Sequence, residues 1–151
     1  MGYIEELREL TGSRPLLLTG VGVGVLDSSG RILLQKDFDG RWGIPGGFME
    51  LGESAEDAGR REVLEETGVE IGKMSLVTVI SGPQTFSRLA NGHEYYSVTI
   101  VYASHTERDQ EPRPDGKETA EARFFRPDEL PEGLNPMIRN QIFQYLNMHK
   151  K

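Results

Sequence analysis

The sequence predicts an α/β protein, a mixed β-sheet sandwiched between helices. Three observations lead there. From Thr19 to Leu26 glycine alternates with valine, and a period of two marks a strand. From Ser54 to Gly68 a helix is bracketed by a strong start signal and a strong stop signal. The order along the chain is strands, helix, strands, helix, with no internal repeat and no domain-sized linker, so residues 1–151 read as one domain.

Taken in order, Ile4, Leu7 and Leu10 have the spacing of a short N-terminal helix. In the first strand Val21, Val23 and Val25 face a core, while Gly20, Gly22 and Gly24 leave a bare face that something can approach closely. Glycines near a strand also occur in dinucleotide-binding turns, but those need a helix to follow at once. Here Asp27-Ser28-Ser29-Gly30 makes a turn and Arg31 to Gln35 reads as a second strand, so that reading fails. Trp42 to Gly47 is a rigid loop entry to the helix, which runs from Ala55 to Thr67 with Ser54 as N-cap and Asp57 as its reciprocal partner. Ser75 to Ser81 reads as a strand, and Asn91-Gly92 as a tight turn into an alternating strand from Tyr95 to Ala103. Glu107 to Lys117, rich in charge and proline, reads as a mobile loop, and Arg123-Phe124-Phe125 as a last short strand. Asn135 caps and Pro136 opens a C-terminal helix that buries Ile138, Ile142, Phe143, Tyr145 and Leu146.

Composition narrows the function classes. The chain has no cysteine, which excludes disulfides, thiolate metal sites and a cysteine nucleophile. Its most apolar stretch, Pro15 to Leu26, is too short for a bilayer, and the acidic N-terminus does not resemble a signal peptide; a cytoplasmic protein without a membrane partner is expected. The formal charge of −7 disfavours DNA as a partner, because duplex binding needs cationic surface. A polyphosphate substrate meets the same repulsion unless a divalent cation lies between.

The helix carries the chemistry. At about 100° per residue, Glu62 and Glu66 lie about 40° apart on the face shared by Ala55, Ala58 and Gly59, with Glu65 about 60° from Glu62 on a flank. An amphipathic helix would place its carboxylates opposite the small residues, and like charges four apart disfavour a helix. Such a stripe suits a hard cation gripped between carboxylate oxygens. A lone Glu-x-x-Glu-Glu is usually a solvated face, but here Gly47, Glu53, Arg61, Glu62, Glu65, Glu66 and Gly68 stand at fixed spacings with aliphatic Val63 and Val69. A chance match is of order one in ten million at average residue frequencies.

The segment GFMELGESAEDAGRREVLEETGV, residues 47–69, resembles the Nudix box at every specified position. The resemblance extends through Gly43-Ile44-Pro45-Gly46-Gly47 and Phe124-Phe125. It implies the Nudix fold, an α/β/α sandwich with a loop-helix-loop catalytic motif, and a hydrolase attacking phosphorus with activated water. It implies Mg2+ or Mn2+ as cofactor, with Glu62 and Glu66 as the main ligands, Glu65 as a further ligand or the base, and the Gly46 carbonyl on a metal. Glu53 would bind outer metals or water, and Arg61 would orient the carboxylates. In some members the base lies on a later loop, here Glu118 or Glu121. Arg41 and Arg88 read better as solvated than as phosphate-binding, and Trp42 as packing rather than base-stacking. His93, His105 and His149 lack metal-ligand spacing.

The resemblance leaves the substrate open. A proline about fifteen positions past the box marks ADP-ribose hydrolases; Pro83 is one position off. The tyrosine of dinucleoside polyphosphate hydrolases would fall near Thr85 and is absent. An ADP-ribose or nucleotide-sugar pyrophosphatase leads, and a (d)NTP or oxidised-nucleotide pyrophosphatase follows. The acidic charge argues against cap removal from RNA. A catalytically silent module usually lacks a box glutamate, and none is missing here. The family includes homodimers, and the sequence neither requires nor opposes that state.

Overall fold

Leu16–Leu26 form strand β1, which starts three residues before the glycine–valine alternation. The computed structural model of the chain describes residues 2–148. Val21, Val23 and Val25 point to one side of β1 and are buried. Around it are β2 (Ile32–Lys36), β3 (Trp42–Gly43), β4 (Gly46–Phe48), β5 (Met74–Ile80), β6 (Phe86–Arg88), β7 (Glu94–His105) and β8 (Glu121–Phe125). The sheet runs β3-β2-β1-β7-β5, with β4 also paired to β1, β6 to β7 and β8 to β2. β1 and β7 are parallel along their whole shared length, Leu16 opposite Tyr95 through Leu26 opposite His105. The remaining pairs are antiparallel, so the sheet is mixed, as expected.

The helices are α1 (Tyr3–Thr11), α2 (Ala55–Thr67) and α3 (Pro136–Met148). Two cores follow from the period of the strands. On one face Val21, Val23, Val25, Leu33 and Met74 pack against Ala58 and Val63 of α2. On the other Leu26, Ile32, Leu34 and Phe125 pack against Ile142, with Ile138 and Tyr145 alongside, all from α3. The result is an α/β/α sandwich.

Three expectations need correction. Trp42 to Gly47, expected as a loop entry, holds β3 and the start of β4, because β2 and β1 offer them open ladders. Phe143 lies on the outer side of α3 and is exposed, because the helix buries the stripe through Ile138, Ile142 and Tyr145. The 107–117 segment has no helix or strand but is tied down. Gln110 bonds both the N–H and the carbonyl of Glu70, each at 2.8 Å, and the Arg113 N–H donates to the Thr67 carbonyl at 2.7 Å. The segment thereby crosses the C-terminal end of α2. Among the described residues no helix is long and apolar enough to cross a membrane.

Candidate active site

The ends of α2 are held by their caps. Ser54 Oγ accepts from the Asp57 N–H at 3.1 Å, and Gly68 turns left-handed, at φ 72°, to return its N–H to Leu64. The Asp57 carboxylate does not return the bond to Ser54, so the box expected there is half closed. Because Ala58 and Gly59 carry little or no side chain, α2 lies close on β1; a Cβ at Gly59 would stand 3.0 Å from Val23 Cγ2. That closeness draws the rest of the same face inward. Glu62 is 9% exposed and Glu66 4%.

β4 supplies the opposite wall. The Gly46 N–H donates to Glu66 Oε1 at 3.2 Å, and Gln35 Nε2 on β2 donates to Glu66 Oε2. A Cβ on Gly46 would come within 2.2 Å of the Val21 carbonyl oxygen, and one on Gly47 within 2.5 Å of the Glu62 carboxyl carbon. The glycine pair is thus what lets β1, β4 and two carboxylates share one place. Burial pushes Glu66 up to about 8; the hydrogen bond and charge of Glu62 add to the rise, and Gln35 and Gly46 oppose it.

Arg61 organises the other acids. Its Nε and Nη2 grip both oxygens of Glu53, at 2.6 and 2.9 Å, while Nη1 reaches Glu62 at 2.8 Å and Glu65 at 3.3 Å. Nη2 also donates to the Phe48 carbonyl at 3.3 Å, tying the fork to β4. The bond to Glu53 dominates the upward shift of Arg61, and the bond from Arg61 holds Glu53 below the usual carboxylate range. Glu53 accepts as well from the Glu50 N–H at 3.1 Å.

The structure therefore brings together Glu62, Glu66, Gly46, Glu53 and Arg61. Glu65 is peripheral: its side chain is 58% exposed and turned to Arg61. Among the described residues no three acidic or histidine side chains converge to hold an ion by themselves, so any ion here needs backbone, water or substrate oxygens too. Of the two loop acids, Glu121 is not brought to the cluster. It pairs with Lys36 at 2.7 Å, and since Ala122 is the residue opposite Gln35, Glu121 lies on the other face of the sheet. Glu118 is exposed and makes no side-chain hydrogen bond or ion pair among the described residues. Arg41 pairs with Asp37 and Asp39, Arg88 with Glu94, and Trp42 packs edge-on to Phe125. His93 sits in the turn before β7 and His105 at the end of β7, neither in a metal-holding cluster among the described residues, and His149 lies outside the described residues. Gln35 is the residue that sequence reasoning misses, since a single glutamine in a strand carries no motif.

Beside Gly46 and Gly47, on the α3 side of the sheet, opens a cleft of about 390 Å³. Phe48, Gln84, Tyr95 and Gln141 are among its walls, and no charged side chain lines it. A smaller, mainly apolar space of about 50 Å³ lies under α3, between Leu26 and Ile32 of the sheet and Ile142 and Leu146 of the helix.

A mixed sheet between helices, with two buried glutamates of α2 backed by the glycine pair of β4, is the α/β/α architecture and site that the box implies. The family model for the NUDIX domain matches residues 16–146. The chain belongs to the Nudix pyrophosphohydrolase family. It is 35% identical to the ADP-ribose pyrophosphatase of Methanocaldococcus jannaschii over 134 residues, 85% of this chain and 75% of that protein. It is also 35% identical, over 130 residues, to a Bacillus subtilis protein provisionally named an 8-oxo-dGTP diphosphatase; the match spans 85% of this chain and 79% of the relative. The crystal structure of a MutT NUDIX hydrolase from Burkholderia pseudomallei superposes with a TM-score of 0.68 at 31% identity, covering 87% and 98% of the two chains.

Proposed function

We propose that this chain hydrolyses the phosphoanhydride of nucleoside-diphosphate-linked substrates of the ADP-ribose or nucleotide-sugar type, with Mg2+ or Mn2+ as cofactor. The observation that carries the reading is the buried pair Glu62–Glu66. Two carboxylates sunk side by side cost free energy unless a proton or a cation compensates them, and a hard divalent ion suits their oxygens. Glu62 and Glu66 would hold it with the Gly46 carbonyl, and Glu65, exposed and paired with Arg61 at 3.3 Å, would join them or act as base. When bound, such an ion neutralises the diphosphate and lowers the pKa of water.

The protein's own part is positioning. Arg61, locked on Glu53, aims Glu62 and ties α2 to β4, so the acids stay fixed while charge develops at phosphorus. Glu118, on the loop before β8, is the alternative base. Water's oxygen bonds to one phosphorus, the bridging P–O bond breaks, and two phosphate monoesters leave. The uncharged cleft beside Gly46–Gly47 suits the nucleoside half, leaving the diphosphate at the glutamates. The Methanocaldococcus relative supports the ADP-ribose type; the Bacillus relative favours the second reading, a (d)NTP or oxidised-nucleotide pyrophosphatase.

The test is phosphate release through an added phosphatase, with and without Mg2+, over ADP-ribose, nucleotide sugars, dNTPs and oxidised dGTP. Activity is expected to require the ion and to be highest on a diphosphate-linked substrate. Glu66→Gln is expected to cut turnover at least about 100-fold with the fold intact, the scale for a lost ligand or electrostatic group. Full activity of that variant, or of wild type in excess chelator, would refute the proposal.

A further inference from the structure

Glu66 is the most buried acid of the site, yet it receives one side-chain hydrogen bond donor. That donor is Gln35, thirty-one positions earlier and on a different element. β2 delivers it by its period: Ile32 and Leu34 enter the core under α3, while Leu33 and Gln35 face α2, Leu33 in the apolar core and Gln35 at its end, against Glu66. The neighbours of Gln35 across the two ladders are Ala122 and Gly43, neither of which offers a polar side-chain atom. The other end of the amide, Gln35 Oε1, is buried and has no hydrogen-bond partner among the described residues. A buried amide half satisfied by protein is a costly arrangement unless something else completes it.

We infer that Gln35 is a positioning residue for the metal ligand Glu66, holding its carboxylate toward Glu62 and leaving an acceptor, Oε1, for an O–H group of the loaded site. This rests on the metal-dependent reading above. A neutral amide suits the task. It fixes an anionic oxygen without the positive charge that would compete with a divalent ion, as a lysine or arginine at the same place would. It also leaves Glu66 Oε1 to the Gly46 N–H, so each oxygen has one neutral donor and a lone pair to spare. Partners of metal ligands tune affinity far more than their distance from the chemistry suggests, by about 10–100-fold when removed.

Two variants of the full chain test it. Gln35→Met keeps the length and removes both polar atoms; Gln35→Asn keeps an amide one methylene short of Glu66. Mn2+ binding is followed calorimetrically without nucleotide, and hydrolysis as a function of Mg2+. Both variants are expected to weaken Mn2+ binding about tenfold or more and to raise the Mg2+ concentration for half-maximal rate by the same factor, with kcat at saturating Mg2+ near wild type. If Gln35→Met does not fold, Gln35→Asn decides. Unchanged Mn2+ affinity overturns the inference, and so does a fall in kcat with Mn2+ affinity intact. Glu66→Gln run in parallel separates the two levels. If it loses Mn2+ binding while the Gln35 variants bind as wild type, the role of Gln35 falls and the site reading stands. If Glu66→Gln itself binds Mn2+ and hydrolyses normally, both fall.

Discussion

At the scale of the residue, the site depends on groups that are missing as much as on groups present. Gly47 has no Cβ, and one placed there would meet the Glu62 carboxyl carbon at 2.5 Å and its oxygens at 2.6 and 2.7 Å. These atoms end a flexible side chain, so Gly47→Ala need not break the fold; Glu62 swings aside instead. Displacement by about 1 Å can cost about 100-fold in rate. Gly47→Ala is accordingly expected to melt close to wild type and to lose about two orders of magnitude in turnover, checked by kcat beside a melting curve. Wild-type turnover would show that Glu62 has no fixed place. The same scale explains what could be read in advance. Glu62 and Glu66 were legible because helical spacing sets them on one stripe, whereas Glu53 and Arg61 were legible only through the resemblance to the Nudix box. Gln35 was not, because its value lies in a contact with a residue thirty-one positions away. Glu121 was misplaced for the converse reason: nearness to the last strand in sequence says nothing of which face it takes, and its ladder position opposite Lys36 turns it away.

At the scale of the element, α2 is the part whose ends decide function, since it carries both buried glutamates. Ser54 Oγ satisfies the Asp57 N–H, and the Asp57 carboxylate does not reciprocate, so the cap rests on the serine. Ser54→Ala is expected to cost about 1 kcal/mol, lowering the midpoint by about 2–4 °C in a protein of this size. Its turnover should stay near wild type, because Arg61 still locks Glu53 and Glu62. A melt together with a rate at saturating Mg2+ checks both; an unchanged midpoint would mean that packing on β1, not the cap, sets the helix start. Both ends of α2 were legible to the residue, since caps are local chemistry. β3, β4 and β6 were not, being strands of two or three residues with no period to detect. They form where longer neighbours offer an open ladder, a property of the assembled sheet. The 107–117 segment likewise looks free in sequence, and becomes anchored only when Glu70 and the end of α2 are in place.

At the scale of the whole molecule, the buried acids set function against stability. In the metal-free protein Glu66 titrates near 8, raised chiefly by burial, against 4.5 for an ordinary glutamate. Between those values the folded protein keeps a proton that the unfolded chain has released. Unfolding then releases protons, so rising pH favours the unfolded state, and the stability present near pH 4.5 drains away toward pH 8. The slope from this one group is at most about 1.4 kcal/mol per pH unit. Glu66→Gln cannot titrate and closely matches the protonated acid in shape. In excess chelator, melting curves of wild type and Glu66→Gln are expected to lie close at pH 5 and to diverge by pH 8, with the inactive variant the more stable. Saturating Mg2+ at pH 8 should raise the wild-type midpoint, because an ion bound only by the folded state stabilises it by mass action, and should leave Glu66→Gln nearly unmoved. A gap that fails to widen between pH 5 and pH 8 would mean that solvent reaches Glu66 freely. The helix would then hold its carboxylates at no cost, and no ion would be needed to explain their place.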